Sequence, residues 1–364
     1  MISIPIYQPS LTGHEKEYVI DCLDSTWISS KGKYIQKFEE LFAEKIKVKH
    51  ATTVSNGTVA LHLALLALGI GPGDEVIVPT LTYIASVNAI AYTGATPVFV
   101  DSVRETWQMN PEDVKRKITS KTRAIMAVHL YGHPCDMDAL MAISQEHDLF
   151  VIEDCAEAFG SLYKGVPVGG FGHISTFSFF GNKTITTGEG GMVVTNDQTL
   201  YQHAIHFKGQ GLAADRQYWH DVIGYNYRMT NICAAIGLAQ LEQADEFIGK
   251  KCNIAKWYRD GLAALPVEVH GQFGDVKHSY WMVSILVDDP AQRDALREHL
   301  SQNGIETRPL FYPVHTMPMY SDKFQRHPVA EDLGWRGINL PSWPGLKKET
   351  VELIIKEILS FFKK

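Results

Sequence analysis

One lysine in the sequence stands in a setting that favours amine chemistry. Lys183 lies in STFSFFGNKTITTGEGGMVVT, residues 175–195, between two apolar, strand-like runs and close to the glycine-rich turn 188–191. Apolar surroundings remove water from an amine, which lowers its pKa and favours the neutral form that makes imines. A surface lysine in a hairpin loop is the alternative and the usual location of this residue type. The apolar flanks favour a nucleophilic Lys183.

A second candidate group is the carboxylate of Asp154. It follows an apolar run in LFVIEDCAEAFGS, residues 149–161, and ligands of parallel α/β sheets bind beyond the carboxyl ends of the strands. An aspartate at that place can pair with a protonated ring nitrogen. It can equally cap the helix that follows, and the motif alone leaves both interpretations open.

A third motif could bind phosphate. In VSNGTVALHLAL, residues 54–65, a strand-like run passes through Ser55, Asn56 and Gly57 directly into a helical run. Gly57 permits close approach of the backbone to a ligand, and a helix N-terminus stabilises a phosphate through its free N–H groups and dipole. An ordinary turn capped by Ser55 or Asn56 fits the same residues. The glycines of 71–73 follow a helical run and precede a strand, the reverse of the dinucleotide-binding order, so they predict a turn.

The elements that must position these groups alternate along the chain. Helical periodicity is clear over residues 33–46. Beyond it, strands are predicted over 51–54, 75–78, 97–100, 124–128 and 149–152, and helices over 58–68, 84–92, 111–118 and 137–147. Strands that alternate with helices require crossover connections, so we expect an α/β fold with a largely parallel sheet.

The pattern changes near residue 229. The elements predicted after it are a long helical stretch over 229–265, a strand near 281–287, and helices over 291–302 and 349–362. A chain of 364 residues is also longer than one ordinary core supports. We therefore expect a large domain over residues 1–240, which includes an N-terminal helical segment, and a smaller domain over 241–364.

Composition and charge argue against several classes of function. The net charge of -7 gives no electrostatic support for binding nucleic acid. The five cysteines are scattered and form no CxxC pair, so neither a disulfide framework nor a metal cluster is expected. The longest apolar run, residues 59–70, is shorter than the roughly 20 residues that span a bilayer, and the N-terminus lacks the pattern of a signal peptide. We expect a cytoplasmic protein that binds no membrane.

Taken together, the motifs and their order resemble the DegT/DnrJ/EryC1/StrS family of sugar aminotransferases. The resemblance extends from STWISSKGKYIQKFEE, residues 25–40, through GYNYRMT, residues 224–230, to NLPSWPGL, residues 339–346. It implies the aspartate-aminotransferase fold, fold type I of the pyridoxal-phosphate enzymes, with a large, mostly parallel-sheet domain and a smaller C-terminal α+β domain. It also implies pyridoxal 5'-phosphate as the cofactor, and transfer of an amino group from L-glutamate to C4 of a nucleotide-linked 4-keto-6-deoxy-sugar.

The resemblance implies roles for individual residues. Lys183 would bind the cofactor covalently and move protons, and Asp154 would keep its pyridine nitrogen protonated. The other implied cofactor contacts are Asn56, Gly57, Thr58 and Ser178 around the phosphate, Tyr83 on the ring face, Glu157 near the phenolic oxygen, and Asn226 at the phosphate of a neighbouring subunit. The last of these contacts implies a homodimer with a shared active site.

Glu157 departs from the family pattern. Many members have glutamine or histidine at this position, and those side chains can donate a hydrogen bond to the phenolic oxygen of the cofactor. An ionised glutamate cannot donate, and its charge would oppose a phenolate. Glu157 is therefore expected either to be protonated or to point elsewhere.

Two loops are the predicted sources of the sugar pocket. Their candidate residues are Trp27 in the early loop and Arg308, Tyr312 and His315 in the late one. Packing is the alternative role for such side chains. Two other functions stay open: an aminotransferase of the family that acts on a UDP- or dTDP-linked keto-sugar at C3 or C4, and a regulator that binds the cofactor without turnover. The presence of both Lys183 and Asp154 argues against the regulator.

Overall fold

The structure is a computed structural model that describes residues 4–321 and 324–363. In chain order the strands are β1 (His50–Val54), β2 (Glu75–Pro79), β3 (Thr96–Val100), β4 (Thr122–Val128), β5 (Phe150–Asp154), β6 (Leu162–Tyr163), β7 (Val166–Pro167), β8 (Ile174–Ser178), β9 (Gly191–Thr195), β10 (Val267–Val269), β11 (Val276–Lys277), β12 (Val283–Val287), β13 (Arg308–Pro309) and β14 (Gly337–Leu340).

The helices surround these strands. In chain order they are α1 (Glu15–Asp24), α2 (Lys33–Ile46), α3 (Gly57–Ala67), α4 (Ile84–Tyr92), α5 (Pro111–Arg116), α6 (Met137–His147), α7 (Gln198–Lys208), α8 (Asn231–Glu242), α9 (Ala244–Leu262), α10 (Pro290–Gln302), α11 (Pro328–Arg336) and α12 (Lys348–Phe362), with short 3-10 turns at Leu130–Gly132 and Val314–Thr316. Within the described ranges, no helix is long and apolar enough to cross a membrane.

A seven-stranded sheet forms the centre of the larger part of the fold, in the order β1-β9-β8-β5-β4-β2-β3. The pairs from β8 to β3 are parallel, whereas β9 runs antiparallel to both of its neighbours. This arrangement confirms the predicted α/β class with a mostly parallel sheet. Because parallel strands end at the same edge, β5 and β8 bring their last residues, Asp154 and Ser178, to one edge of the sheet.

The element boundaries of the alternating region follow the sequence pattern closely. The predicted strands and helices of the alternating region are present, and their ends differ from the prediction by at most two residues. Asn110 caps α5 by accepting the N–H of Glu112 at 3.0 Å, with Pro111 in the first helical position. The stretch predicted as one long helix is instead α8 and α9, because Gln243 leaves helical geometry and its side chain bonds to Thr12 near the start of α1.

Five phenylalanines join α2 to the strand that precedes Lys183. They are Phe38 and Phe42 on α2, together with Phe159, Phe177 and Phe179, and their ring centroids lie 4.9 to 6.4 Å apart. Phe42 is fully buried and contacts four of the rings. Because Phe177 and Phe179 are two residues apart and face the same side of the chain, this packing fixes the end of β8 and the start of the loop that carries Lys183.

The C-terminal part has a second, antiparallel sheet in the order β10-β12-β14-β13. The long helix α9 contributes to two hydrophobic cores: Phe247 and Ile248 pack in the core of the large sheet, and Ile254 and Tyr258 pack with the second sheet. One helix therefore belongs to both cores, and the domain boundary between residues 240 and 241 stays a prediction.

Replacement of Phe42 by alanine is expected to destabilise the protein strongly. The substitution removes the central ring of the aromatic cluster, and large-to-small changes of this kind cost about 3–5 kcal/mol of unfolding free energy. Urea unfolding would measure the loss. Leu41→Ala is the matched control, since its side chain on the same helix is 43% exposed. Similar losses for the two variants would contradict the assigned importance of the cluster.

Candidate active site

The backbone of Lys183 is held by two segments that are distant in sequence. Lys183 lies in the loop between β8 and β9, and its carbonyl oxygen accepts a hydrogen bond from the hydroxyl of Tyr7 at 2.6 Å. The carbonyl of Asn182 accepts a hydrogen bond from Nε1 of Trp281 at 2.8 Å, and the N–H of Lys183 donates to Phe180 within the loop at 2.9 Å. The N-terminal and C-terminal parts of the chain thus both fix the position of this lysine.

The amine of Lys183 lies between a carboxylate and an aromatic ring. Its Nζ is 3.8 Å from Oε1 of Glu157 and 3.6 Å from the centroid of the Trp281 ring. The side chain is only 13% exposed, although it lies in a loop. Burial lowers the pKa of Lys183, and the negative charges of Glu157 and Asp154 counteract that effect. The amine therefore loses its proton more readily than a surface lysine does.

Asp154 ends β5 and is buried beside the lysine loop. Its Oδ2 accepts a hydrogen bond from the hydroxyl of Ser86 at 2.7 Å, and its Oδ1 accepts the N–H of Ala156 at 3.0 Å. Burial raises the pKa of Asp154, whereas these hydrogen bonds and the charge of Lys183 oppose the rise. A cationic group placed against this carboxylate would stabilise its ionised form, so the position suits a protonated ring nitrogen.

The adjacent Glu153 forms a separate buried network on the other side of β5. Its carboxylate accepts three backbone N–H groups of segment 169–172 at 2.7 to 2.8 Å and lies 3.0 Å from Nε2 of His129. Since Nδ1 of His129 accepts the N–H of Cys135, the ring proton is on Nε2 and points at Glu153. One possible ligand atom each of His129, Glu153 and Cys155 lies within 4.8 Å of the others, a spacing that could hold a metal ion. The hydrogen bonds of His129 and Glu153 fix the end of β5.

The turn between β1 and α3 forms a cradle with the end of β8. A Cβ atom on Gly57 would lie 2.7 Å from Cβ of Ser178, so only glycine fits without displacement. Asn56 caps α3 by accepting the N–H of Val59 at 3.0 Å. Because the first N–H groups of a helix have no partner inside it, those of Gly57 and Thr58 are available to a ligand that binds beside Ser178. This combination of donors suits a phosphate.

Four aromatic rings form a continuous wall next to the amine. The ring centroids are 5.5 Å apart for Tyr83 and Phe311, 5.3 Å for Phe311 and Tyr131, and 6.1 Å for Tyr131 and Trp281. Tyr83 is 56% exposed, so it leaves an open face against which a ligand ring can stack. Tyr83 was predicted from the sequence as a cofactor contact, and that role stays a prediction. Phe311, Tyr131 and Trp281 come from separate segments and were not predicted. The aromatic-rich stretch 308–320 contained a signal for Phe311.

The residues predicted for the sugar pocket have partners within the protein. Tyr312 packs on Trp335 with centroids 4.9 Å apart, and Arg308 pairs with Glu306 at 3.4 Å. His315 is buried, with Nδ1 2.7 Å from the hydroxyl of Thr80 and Nε2 3.4 Å from Glu331. Trp27 is exposed, and its carbonyl accepts a hydrogen bond from Asn231. The contacts of Tyr312 and His315 favour packing and positioning, whereas the side chains of Trp27 and Arg308 are exposed. The substrate roles of all four residues stay predictions.

Asn226 lies at the surface, and its neighbour in sequence contacts the turn between β1 and α3. The carbonyl of the next residue, Tyr227, accepts the N–H of Ser55 at 2.8 Å. The side-chain oxygen of Asn226 accepts hydrogen bonds from Arg228 at 3.3 Å. The structure therefore places Asn226 on an exposed segment beside the turn between β1 and α3, and its action on a second subunit stays a prediction.

A buried amine, a carboxylate suited to a ring nitrogen and a phosphate cradle meet at the carboxyl edge of a mostly parallel sheet. These residues fit pyridoxal phosphate, and the fold and the site define a pyridoxal-phosphate-dependent sugar aminotransferase. Sequence comparison agrees with this class. The chain belongs to the DegT/DnrJ/EryC1/StrS aminotransferase family, which matches residues 9–359.

Similar proteins cover almost the whole chain. The GDP-perosamine synthase of Escherichia coli O157:H7 is 72% identical over 359 residues, which is 99% of this chain and 98% of the relative. The GDP-perosamine synthase of Vibrio cholerae is 55% identical and covers 99% of both chains. Among solved structures, Helicobacter pylori PseC, an aminotransferase involved in the biosynthesis of pseudoaminic acid, superimposes with a TM-score of 0.94, 28% identity and 99% coverage of both chains.

Replacement of Gly57 by alanine is expected to weaken cofactor binding at least tenfold, which corresponds to about 1.4 kcal/mol. The new methyl group would displace Ser178 and move the helix N-terminus away from the phosphate. Titration of the cofactor-free protein with pyridoxal phosphate would measure the dissociation constant. Gly249→Ala in α9 is the control, because a Cβ there meets nothing within 4 Å. An unchanged dissociation constant in Gly57→Ala would refute the phosphate cradle.

Proposed function

We propose that this chain transfers the amino group of L-glutamate to C4 of GDP-4-keto-6-deoxymannose, with GDP-perosamine as the product. Perosamine made in this way would serve the synthesis of O-antigen and related polysaccharides. The observation that carries the proposal is the 72% identity to a GDP-perosamine synthase over 99% of the chain. The cytoplasmic location expected from the sequence is part of the same proposal.

The site residues supply the groups that transamination needs. When bound, pyridoxal phosphate supplies an electron sink for the negative charge that develops at the substrate carbon. Lys183 would bind the cofactor through its amine and, when that amine is free, take a proton from one carbon and return one to another. Its lowered pKa supports this role, because a base must be unprotonated to accept a proton.

Other side chains orient the reacting groups. Asp154, itself oriented by Ser86, would keep the ring nitrogen protonated. Gly57, Thr58 and Ser178 would hold the phosphate, and Tyr83 would cover one face of the ring. Each of these contacts reduces the freedom of the bound group before the reaction begins, which is a large part of what an enzyme contributes.

We also propose that the working unit is a homodimer with shared active sites. Several large apolar side chains of segment 209–228 are exposed in the single chain: Leu212 at 49%, Tyr218 at 94%, Trp219 at 50% and Ile223 at 88%. Exposed apolar surface of this extent favours association with a partner. Asn226 belongs to the same segment, so a second copy that covers this segment would bring Asn226 toward a neighbouring site.

The choice of nucleotide-sugar is tested by direct competition. We expect turnover with glutamate and GDP-4-keto-6-deoxymannose to exceed turnover with UDP- or dTDP-linked 4-keto-6-deoxy-sugars, since the wrong base leaves buried polar groups unpaired at about 1–3 kcal/mol each. The comparison of kcat/KM values measures the preference, and Lys183→Ala serves as the inactive control. A preference for a UDP- or dTDP-linked sugar would exclude GDP-perosamine synthesis and leave the aminotransferase class intact.

Mixed dimers test the shared site. Lys183→Ala and Asn226→Asp chains should each be inactive, the second because a new carboxylate repels the phosphate. If Asn226 acts on the neighbouring subunit, each mixed dimer contains one site with both residues intact. We therefore expect activity to return when the two inactive chains are co-expressed and the doubly tagged dimer is purified. An inactive mixed dimer of this kind would mean that Asn226 acts within its own chain.

A further inference from the structure

Glu157 is buried beside the amine of Lys183. Its side chain is 5% exposed, and its Oε2 accepts the N–H of Tyr131 at 2.7 Å. Its Oε1 is the carboxylate oxygen 3.8 Å from Nζ of Lys183. The carboxyl group therefore faces the amine with one oxygen and is fixed by the backbone through the other.

The backbone of Tyr131 is strained in a way that serves this contact. Its φ of +56° lies in the left-handed region, which residues other than glycine rarely adopt. This conformation costs on the order of 1 kcal/mol or more. The tyrosine is held there from both ends, because its N–H donates to Glu157 and its hydroxyl accepts the N–H of Phe311 at 2.9 Å. A strained residue whose N–H is directed at Glu157 indicates that the orientation of this carboxyl group matters.

The charged and titratable groups that face Glu157 come from three neighbouring elements. They are Lys183 in the loop between β8 and β9, Asp154 at the end of β5, and Tyr131 in the turn after β4. The charge of Lys183 favours the ionised carboxylate, and so does the Tyr131 N–H, whereas the negative charge of Asp154 opposes ionisation. The Trp281 ring covers the amine from another direction and favours its charged form.

Burial shifts the pKa values of Glu157 and Lys183 toward each other. It raises the pKa of Glu157 to about 7 and lowers the pKa of Lys183. The ordinary difference between a glutamate and a lysine is about 6 pKa units, so a proton on the amine is normally far more stable than one on the acid. In this pair the two shifts run toward each other, and at 3.8 Å the charge on either group affects the protonation of the other.

We propose that Glu157 is the proton-holding partner of Lys183, exchanging one proton with the amine whenever the amine is free. The exchange is balanced: the carboxylic acid of Glu157 and the neutral amine of Lys183 become a carboxylate and an ammonium. The acid form keeps a hydrogen-bond donor in the site, which a permanently ionised glutamate would lack. The carboxylate form stabilises the charged lysine. The role in turnover depends on the proposed aminotransferase function.

The ionisation of Lys183 in cofactor-free protein tests the exchange. Acetic anhydride labels only neutral amines, and mass spectrometry of the Lys183 peptide as a function of pH gives an apparent pKa. Glu157→Gln keeps an acceptor for Tyr131 but removes the charge, so the apparent pKa of Lys183 should fall by about 1–3 units. At neutral pH its labelling should accelerate about tenfold or more.

The control for this measurement is Glu189→Gln. Glu189 is an exposed glutamate in the same loop, and its loss should leave the labelling profile of Lys183 unchanged. An apparent pKa that is equal in Glu157→Gln and in the parent protein would overturn the proposal, because it would mean that Glu157 remains protonated throughout and exchanges nothing.

The reciprocal measurement does not depend on the glutamine variant. In cofactor-free protein labelled with carbon-13 glutamate, the carboxyl signal of Glu157 should titrate at higher pH in Lys183→Met than in the parent chain, because the cation that favours ionisation is gone. An identical midpoint would contradict the coupling. Neither measurement adds an amino donor or a nucleotide-sugar to the protein. A negative result here would therefore leave the proposed function standing. A negative result in the nucleotide-sugar test would likewise leave the proton exchange between Glu157 and Lys183 standing.

Discussion

The burial of one amine is the constraint on which the rest of this structure depends. A lysine side chain loses hydration when it is buried, and it stays in such a place only if its backbone is rigidly held and its charge can be compensated or removed. Here Tyr7 and Trp281 bond to the backbone at Asn182 and Lys183. The aromatic cluster around Phe42 fixes the preceding strand. These contacts keep the amine out of water, which favours its neutral form.

Three acidic residues near the end of β5 show how the environment assigns different roles to one kind of side chain. Glu153 satisfies backbone N–H groups of a loop and is part of the framework. Asp154 keeps few hydrogen bonds and would gain from a cationic partner. Glu157 faces the amine directly, and burial raises the pKa of its carboxyl group to about 7. Because side chains alternate along a strand and turn away after it, neighbouring residues reach separate surroundings.

The sequence was sufficient for the class of fold and for the residues with the strongest chemical character. Strand and helix periodicity placed the elements of the alternating region, and the apolar flanks of Lys183 indicated its burial. Asp154 and Gly57 were predicted as site residues for a related reason, since local sequence already specifies the available groups at the end of a parallel strand and at the start of a helix. These signals are local, so no long-range contact was needed to recognise them.

Only the tertiary structure decided which distant side chains complete the site. Trp281 covers the amine of Lys183, and Tyr131 and Phe311 extend the row of rings from it. These three residues come from separate segments, so their proximity depends on how the chain folds. Glu157 is the clearest case. Its sequence position allowed either a protonated acid or a side chain that points elsewhere, and the choice required the distance to an amine 26 residues away. Electrostatic shifts depend on separation and solvent exposure, and neither quantity exists before the chain has folded.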